Sequence, residues 1–86
     1  MSKLIKYRID FQNIYKGQQV ESNCNEIGFK NLGTATVMVG SVPLLSNQSF
    51  TVNGNLGEID ITVYNIQFQG GTKNLLITRK MYVDEV

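Results

Sequence analysis

Apolar and polar residues alternate along most of this chain with a period of two, the signature of strands. Between Leu4 and Tyr15, the side chains of Ile5, Tyr7, Ile9 and Phe11 fall on one face. Lys6, Arg8, Asp10 and Gln12 fall on the other. A helix would scatter the four apolar residues around its cylinder, whereas a strand gathers them. The pattern predicts a half-buried strand whose apolar face, Tyr7 and Phe11 included, packs into the core. Ile14 is out of step, which predicts a bulge or a strand end near Gln12–Asn13.

The same reading continues down the chain. A turn candidate at Lys16-Gly17-Gln18, where Gly17 can take positive φ, leads into QQVESN (18–23). That segment has only Val20 as an anchor and is expected at a sheet edge. Asn23-Cys24-Asn25 reads as a turn. Ile27 and Phe29 share a face over residues 26–32, which end at Asn31-Leu32-Gly33. In TATVMV (34–39), Ala35, Val37 and Val39 alternate with Thr34, Thr36 and Met38. Gly40-Ser41 is a Gly-X hairpin loop of the II′ type. Pro43 donates no amide hydrogen, so the return strand is expected to be short or at an edge. Phe50 and Val52 are the buried pair of the next strand. The turn-dense Asn53-Gly54-Asn55-Leu56-Gly57 precedes the longest predicted strand, Glu58–Gln69. There Ile59, Ile61 and Val63 share one parity, and Tyr64, Ile66 and Phe68 the other. A bulge near Tyr64-Asn65, or passage between two sheets, would reconcile them. Leu75, Ile77, Met81 and Val83 form the last apolar face, and Arg79 on that face needs a partner or a route to water.

These elements predict an all-β fold: a small antiparallel β-sandwich, Ig-like or jelly-roll-like, of about seven short strands without a significant helix. Eighty-six residues make one domain, 1–86, with a loose tail at 84–86. Such a small core is often supplemented by disulfides, metals or association. Cys24 is the only cysteine and histidine is absent, which excludes an internal disulfide and a Cys/His zinc site. Association is left, and a homo-oligomer is expected. The net charge of +1 gives no basic field for nucleic acid. No apolar run approaches the ~20 residues of a membrane-spanning helix. MSKLIKYRID lacks the apolar core of a secretory signal, which suggests a chain kept in a cytoplasm-like space.

Candidate chemistry is sparse. Glu58 and Asp60 share one strand face and could be imagined as a carboxylate pair. They read better as polar residues on a solvent face, opposite Ile59 and Ile61. Asn53, Asn55, Glu58 and Asp60 form a weak oxygen-ligand loop for calcium, but their spacing fits no EF-hand. Gly54 and Gly57 are followed by neither Lys-Ser/Thr nor a helix, so they make no phosphate loop. Cys24 has no histidine to activate it. No catalytic residue, cofactor or metal is assigned, and the chain is expected not to be an enzyme.

The segment 30–82 carries a pattern: Asn31-x-Gly33-Thr34, Val37-x-Val39, Leu44 or Leu45, Ser49-Phe50, Asn53-Gly54-Asn55, Gly57-Glu58-Ile59-Asp60, Tyr64-x-Ile66-x-Phe68, Asn74-Leu75-Leu76 and Arg79-Lys80-x-Tyr82. It resembles a small β-domain of virion proteins and mobile elements of phages infecting Bacteroidetes-type bacteria. It is also loosely similar to Ig-like surface repeats, departing from them where Ser46-Asn47-Gln48 replaces Pro-Gly. The resemblance implies a virion structural protein, capsid-associated, at a vertex or at a fibre or tail base, assembled in the host bacterial cytoplasm. Its partners would be other virion proteins and copies of itself. The resemblance transfers no site; separately from it, the residues expected to meet a partner are Tyr15, Glu58, Asp60, Arg79 and Tyr82. The alternative expectation is a small Ig-like module that binds a receptor or glycan through exposed tyrosines.

Overall fold

The computed structural model describes residues 5–83; the expected tail at 84–86 lies outside them. Eight strands form, one more than expected: β1 (Lys6–Ile14), β2 (Gln18–Glu21), β3 (Glu26–Asn31), β4 (Thr36–Val39), β5 (Val42–Leu44), β6 (Ser49–Val52), β7 (Val63–Gln69) and β8 (Leu75–Val83). They make two antiparallel four-stranded sheets, ordered β1-β8-β3-β6 and β2-β7-β4-β5. Successive strands β1 and β2 lie in different sheets, unlike an immunoglobulin sandwich, where the first two pair. Instead β1 pairs with β8, β2 with β7, β3 with β6 and β4 with β5. The chain is one long hairpin folded back from the β4–β5 turn and rolled into two layers, which is jelly-roll connectivity.

Local chemistry accounts for the turns. Gly40 has φ +60° and Ser41 does not share it, as a Gly-X hairpin loop requires. The Asn55–Glu58 turn closes with the Glu58 amide donating to the Asn55 carbonyl at 3.1 Å, with Gly57 at φ +85° in third place. That is the conformation of a type II turn. Gly17, by contrast, is not at positive φ. Its role is close approach: a Cβ there would lie 3.1 Å from the Ile66 carbonyl oxygen. Pro43 sits in β5, three residues long and at a sheet edge, and β2 is the other edge of that sheet.

The core lies between the sheets. Ile27, Phe29, Leu75 and Ile77 come from one sheet, Val20, Val37, Val39, Leu44 and Ile66 from the other, and Ala35 from the bend before β4, all buried. Phe29 is its centre, edge-on to Tyr64 at 5.1 Å and stacked on Phe50 at 6.4 Å between ring centroids. Asn31, wholly buried, ties the layers together. Its Nδ2 donates to the Ala35 carbonyl at 2.7 Å and the Leu44 carbonyl at 3.0 Å, and its Oδ1 accepts the Gly33 amide at 3.0 Å.

Two expectations are overturned. β1 contains no bulge, because its pairing with β8 stays in step from Lys6–Val83 to Ile14–Leu75. Facing residues in an antiparallel pair share a side. Ile14 therefore points inward with Leu75, while Tyr7, Ile9 and Phe11 point outward beside Tyr82, Lys80 and Thr78. The second case is Glu58–Gln69. Its regular strand starts only at Val63, and 58–62 are extended with one bridge, Cys24–Asp60. Six residues advance on each side between Gln18–Ile66 and Cys24–Asp60, so there is neither a bulge nor a change of sheet. Tyr64 and Ile66 point in, and Ile59, Ile61 and Val63 point out.

Candidate interaction surfaces

Each outer face of the sandwich carries an apolar stripe. On the first sheet it comes from β1, with Ile5, Tyr7, Ile9 and Phe11, the last 70% exposed. Tyr7 meets Tyr82 edge-on at 6.5 Å. The Lys80 ammonium lies 4.6 Å from the Tyr7 ring centre and 5.4 Å from that of Tyr82, within cation–π range. Beyond Phe11, Gly28 leaves a shallow groove of about 210 Å³ on the same face, flanked by Thr51, Thr78 and Leu76. Alongside the second sheet the stripe comes from Val63 and, in the extended run before β7, Ile59 and Ile61, the last 77% exposed. β4 reaches only as far as Ile66 along β7, so this stripe lies beyond the end of β4.

The inner side of the β1–β8 ribbon is apolar at Ile14, Leu75 and Ile77 and polar at Arg8, Asp10, Gln12 and Arg79. Arg79 enters the gap between the sheets, where its Nε and Nη2 donate to the Glu21 carbonyl at 3.2 and 2.9 Å, and its Nη1 donates to Gln12 Oε1 at 2.8 Å. The partner that its position called for is thus supplied by β2 and β1. An open cleft of about 440 Å³ adjoins it, lined by side chains that include Asp10, Gln18 and Met81.

Asp60 also turns inward. Its Oδ2 accepts the Tyr64 hydroxyl at 2.8 Å, its Oδ1 accepts the Thr62 amide at 2.8 Å, and its carbonyl accepts the Ser22 hydroxyl at 2.6 Å. Burial pushes the carboxyl up, but the hydrogen bonds from Thr62 and Tyr64 outweigh it and hold Asp60 below the usual carboxylate range. Tyr64 moves the other way: burial, then the bond to Asp60, pushes its hydroxyl up to about 12. The bond therefore stabilises the fold fully between the pKa of an unfolded aspartate, about 4, and that of an unfolded tyrosine, about 10. It is lost as pH rises through about 12 and, on the acid side, as pH falls through the lowered pKa of Asp60. In a tyrosinate absorbance titration, Tyr64→Phe is expected to remove one ionisation from the high-pH limb near 12. An unchanged high-pH limb would refute the bond.

The five residues expected to meet a partner are spread over the molecule. Tyr15 is exposed on the β1–β2 connection, and Tyr82 lies on the outer face. Arg79 and Asp60 are committed between the sheets. Exposed Glu58 accepts the Asn55 amide at 3.1 Å. The expected solvent face of Glu58 and Asp60 is reversed at Asp60, since Ile59 and Ile61 are the exposed neighbours. For the Asn53, Asn55, Glu58, Asp60 loop, the two carboxylates are engaged in different directions, and no three acidic or thiol side chains gather among the described residues. Cys24 is buried; its thiol donates to the Glu26 carbonyl at 3.1 Å, and burial pushes its pKa up, away from the thiolate a nucleophile needs. No helix among the described residues is long and apolar enough to cross a membrane.

No family model, curated protein or solved structure matches this chain. Its function is therefore read from its own surfaces. Sequence alternation had found both apolar stripes and assigned both to the core. The signal that could have corrected this is the opposite parity: Ile14 in one segment, and Tyr64, Ile66 and Phe68 in the other.

Proposed function

We propose that this chain is a non-enzymatic assembly protein, a structural component of a phage virion that acts through protein–protein contacts. The observation that carries this reading is the pair of exposed apolar stripes on opposite outer faces. Contiguous exposed apolar surface in a small domain marks a place where another molecule sits. The pattern resemblance over residues 30–82 supports the virion setting. Jelly-roll sandwiches also recur in viral capsid and lectin domains, an argument by analogy of fold. The mechanism is geometric: a rigid two-layer scaffold presents edges and faces to neighbours in a shell or a fibre base.

A second reading has one observation in its favour. Tyr15, exposed on the β1–β2 connection, stands beside an open cleft of about 380 Å³ with Gln12, Asn13, Lys16 and Gln18 around it. An aromatic face among amide donors suits a glycan. Mass spectrometry of gradient-purified particles from the source culture separates the readings. The chain is expected to band with the particles. Its absence from them, with glycan-array binding that Tyr15→Ala abolishes, would overturn the virion reading in favour of the second.

A further inference from the structure

β1 is the outer strand of its sheet and pairs, among the described residues, with β8 alone. The hydrogen bonds of β8 identify which of β1's backbone groups are left over. The carbonyls of Asn74 and Lys80 accept the amides of Leu32 and Asn25, on the β3 side. Even-numbered residues at this side of the ladder thus turn toward β3, and odd-numbered residues of β8 turn toward β1. Backbone direction alternates along a strand, and the two members of a bonded antiparallel pair face each other. Arg8, Asp10 and Gln12, opposite Met81, Arg79 and Ile77, are therefore the residues that bond to β8. Tyr7, Ile9 and Phe11 direct their amides and carbonyls to the open edge. The residues of the exposed apolar stripe are also those with unpaired backbone. A long, apolar edge of this kind is a template for another strand.

We propose that β1 pairs with β1 of a second copy, antiparallel, about a two-fold axis at Ile9. This rests on the assembly reading above and names its first contact. The register follows from charge. With the axis at Arg8 or at Asp10, that residue would face itself, like charge against like. At Tyr7, Lys6 would face Arg8. At Phe11, Asp10 would face Gln12 and no opposite charges would meet. With the axis at Ile9, Arg8 faces Asp10 of the second copy and Asp10 faces its Arg8. Ile9 exchanges both backbone bonds with itself, and Tyr7 exchanges both with Phe11. The charged pairs occupy the non-hydrogen-bonded positions, where side chains approach most closely. Within one chain, Arg8 Nε and Asp10 Oδ1 already lie 3.3 Å apart, both well exposed, so pairing closes a cycle of four alternating charges. On the other face the two apolar stripes merge. The interface is isologous, and the two four-stranded sheets become one.

Light scattering coupled to size exclusion, with the full chain at up to about 100 µM, is expected to give the mass of a dimer. Arg8→Asp sets like charges opposite each other twice and is expected to weaken the dimer at least about tenfold. The double variant Arg8→Asp/Asp10→Arg restores the complementarity and is expected to recover it. Ile9→Pro removes an amide that serves only the open edge, so it is expected to give a monomer with unchanged circular dichroism. A wild-type monomer at the highest concentration would overturn the pairing. So would an Arg8→Asp dimer as tight as wild type, or a folded double variant that stays monomeric. A monomer found in purified particles refutes the pairing and leaves the virion reading standing. A dimer absent from particles supports the pairing and refutes the virion reading.

Discussion

Asn31→Asp is expected to lower the unfolding free energy by about 4 kcal/mol, although it changes the side chain's shape hardly at all. The amide nitrogen of Asn31 gives one hydrogen to the Ala35 carbonyl and one to the Leu44 carbonyl, inside a side chain with no solvent exposure. A carboxylate offers no hydrogen. It takes a donor away from each of two buried carbonyls, of which Leu44 keeps its ladder pairing with Val37 while Ala35 has none, and it sets its own charge against them. An 86-residue domain has a total stability of about 4–13 kcal/mol, so this one atom exchange consumes a large share. The midpoint of thermal unfolding should fall by roughly 15–30 °C. The sign with pH follows from burial, which raises a carboxyl's pKa in the folded state above its unfolded value. The variant's deficit is therefore smallest below the unfolded pKa and grows as pH rises through the folded one. Asn31→Ala, which carries no charge, should show a deficit without that pH dependence. Equal midpoints for wild type and Asn31→Asp at neutral pH would exclude this role for Asn31.

Phe29→Ala should cost about 3–5 kcal/mol by a different route. The ring is 1% exposed and fills the space between Phe50 and Tyr64. Its removal leaves a void that the two rigid sheets cannot close, because each wall is fixed by its own ladder. Phe50, on the neighbouring strand and only half-buried, should cost less on the same truncation, since part of its surface never leaves water. Chemical denaturation of both variants checks the order. A loss at Phe50 equal to or larger than that at Phe29 would place the centre of the core elsewhere.

Much of the scaffold was legible because local chemistry decides it. Gly40-Ser41 could only be a tight hairpin, and Pro43 could only sit in a short strand or at an edge. Ala35, Val37 and Val39 alternate with Thr34, Thr36 and Met38, and all three are buried. Arg79 announced its need for a partner. What period-two alternation does not reveal is which of two faces looks inward. In β1 the four-residue apolar stripe outvotes Ile14, yet Ile14 is the core residue. In residues 58–69, where both parities are apolar, Ile59, Ile61 and Val63 imitate a core face. Burial there is decided by the opposite sheet, which a strand does not encode. Asn31 was missed for a related reason. Gly33 and Ala35 lie within four residues of it, but its third partner, Leu44, is thirteen residues on and is brought to it by the folding of the hairpin. The interaction surfaces were hidden by the same ambiguity, since a stripe that binds a neighbour looks like one that fills a core.

The rolled hairpin also orders the chain in time. Its pairs are nested: β4 meets β5 across the Gly40-Ser41 turn, and β3–β6, β2–β7 and β1–β8 enclose it in turn. Each pair, once the one inside it has formed, closes only the short loops between them, whereas β1–β8 formed alone would have to close nearly the whole chain. Closure entropy therefore favours zipping outward from Gly40 and unravelling inward from the ends. β1 is outermost in this nest and also outermost in its sheet. Its departure would leave β8 anchored on β3. The segment that joins its own fold last is thus the one with the strongest chemical reason to join another.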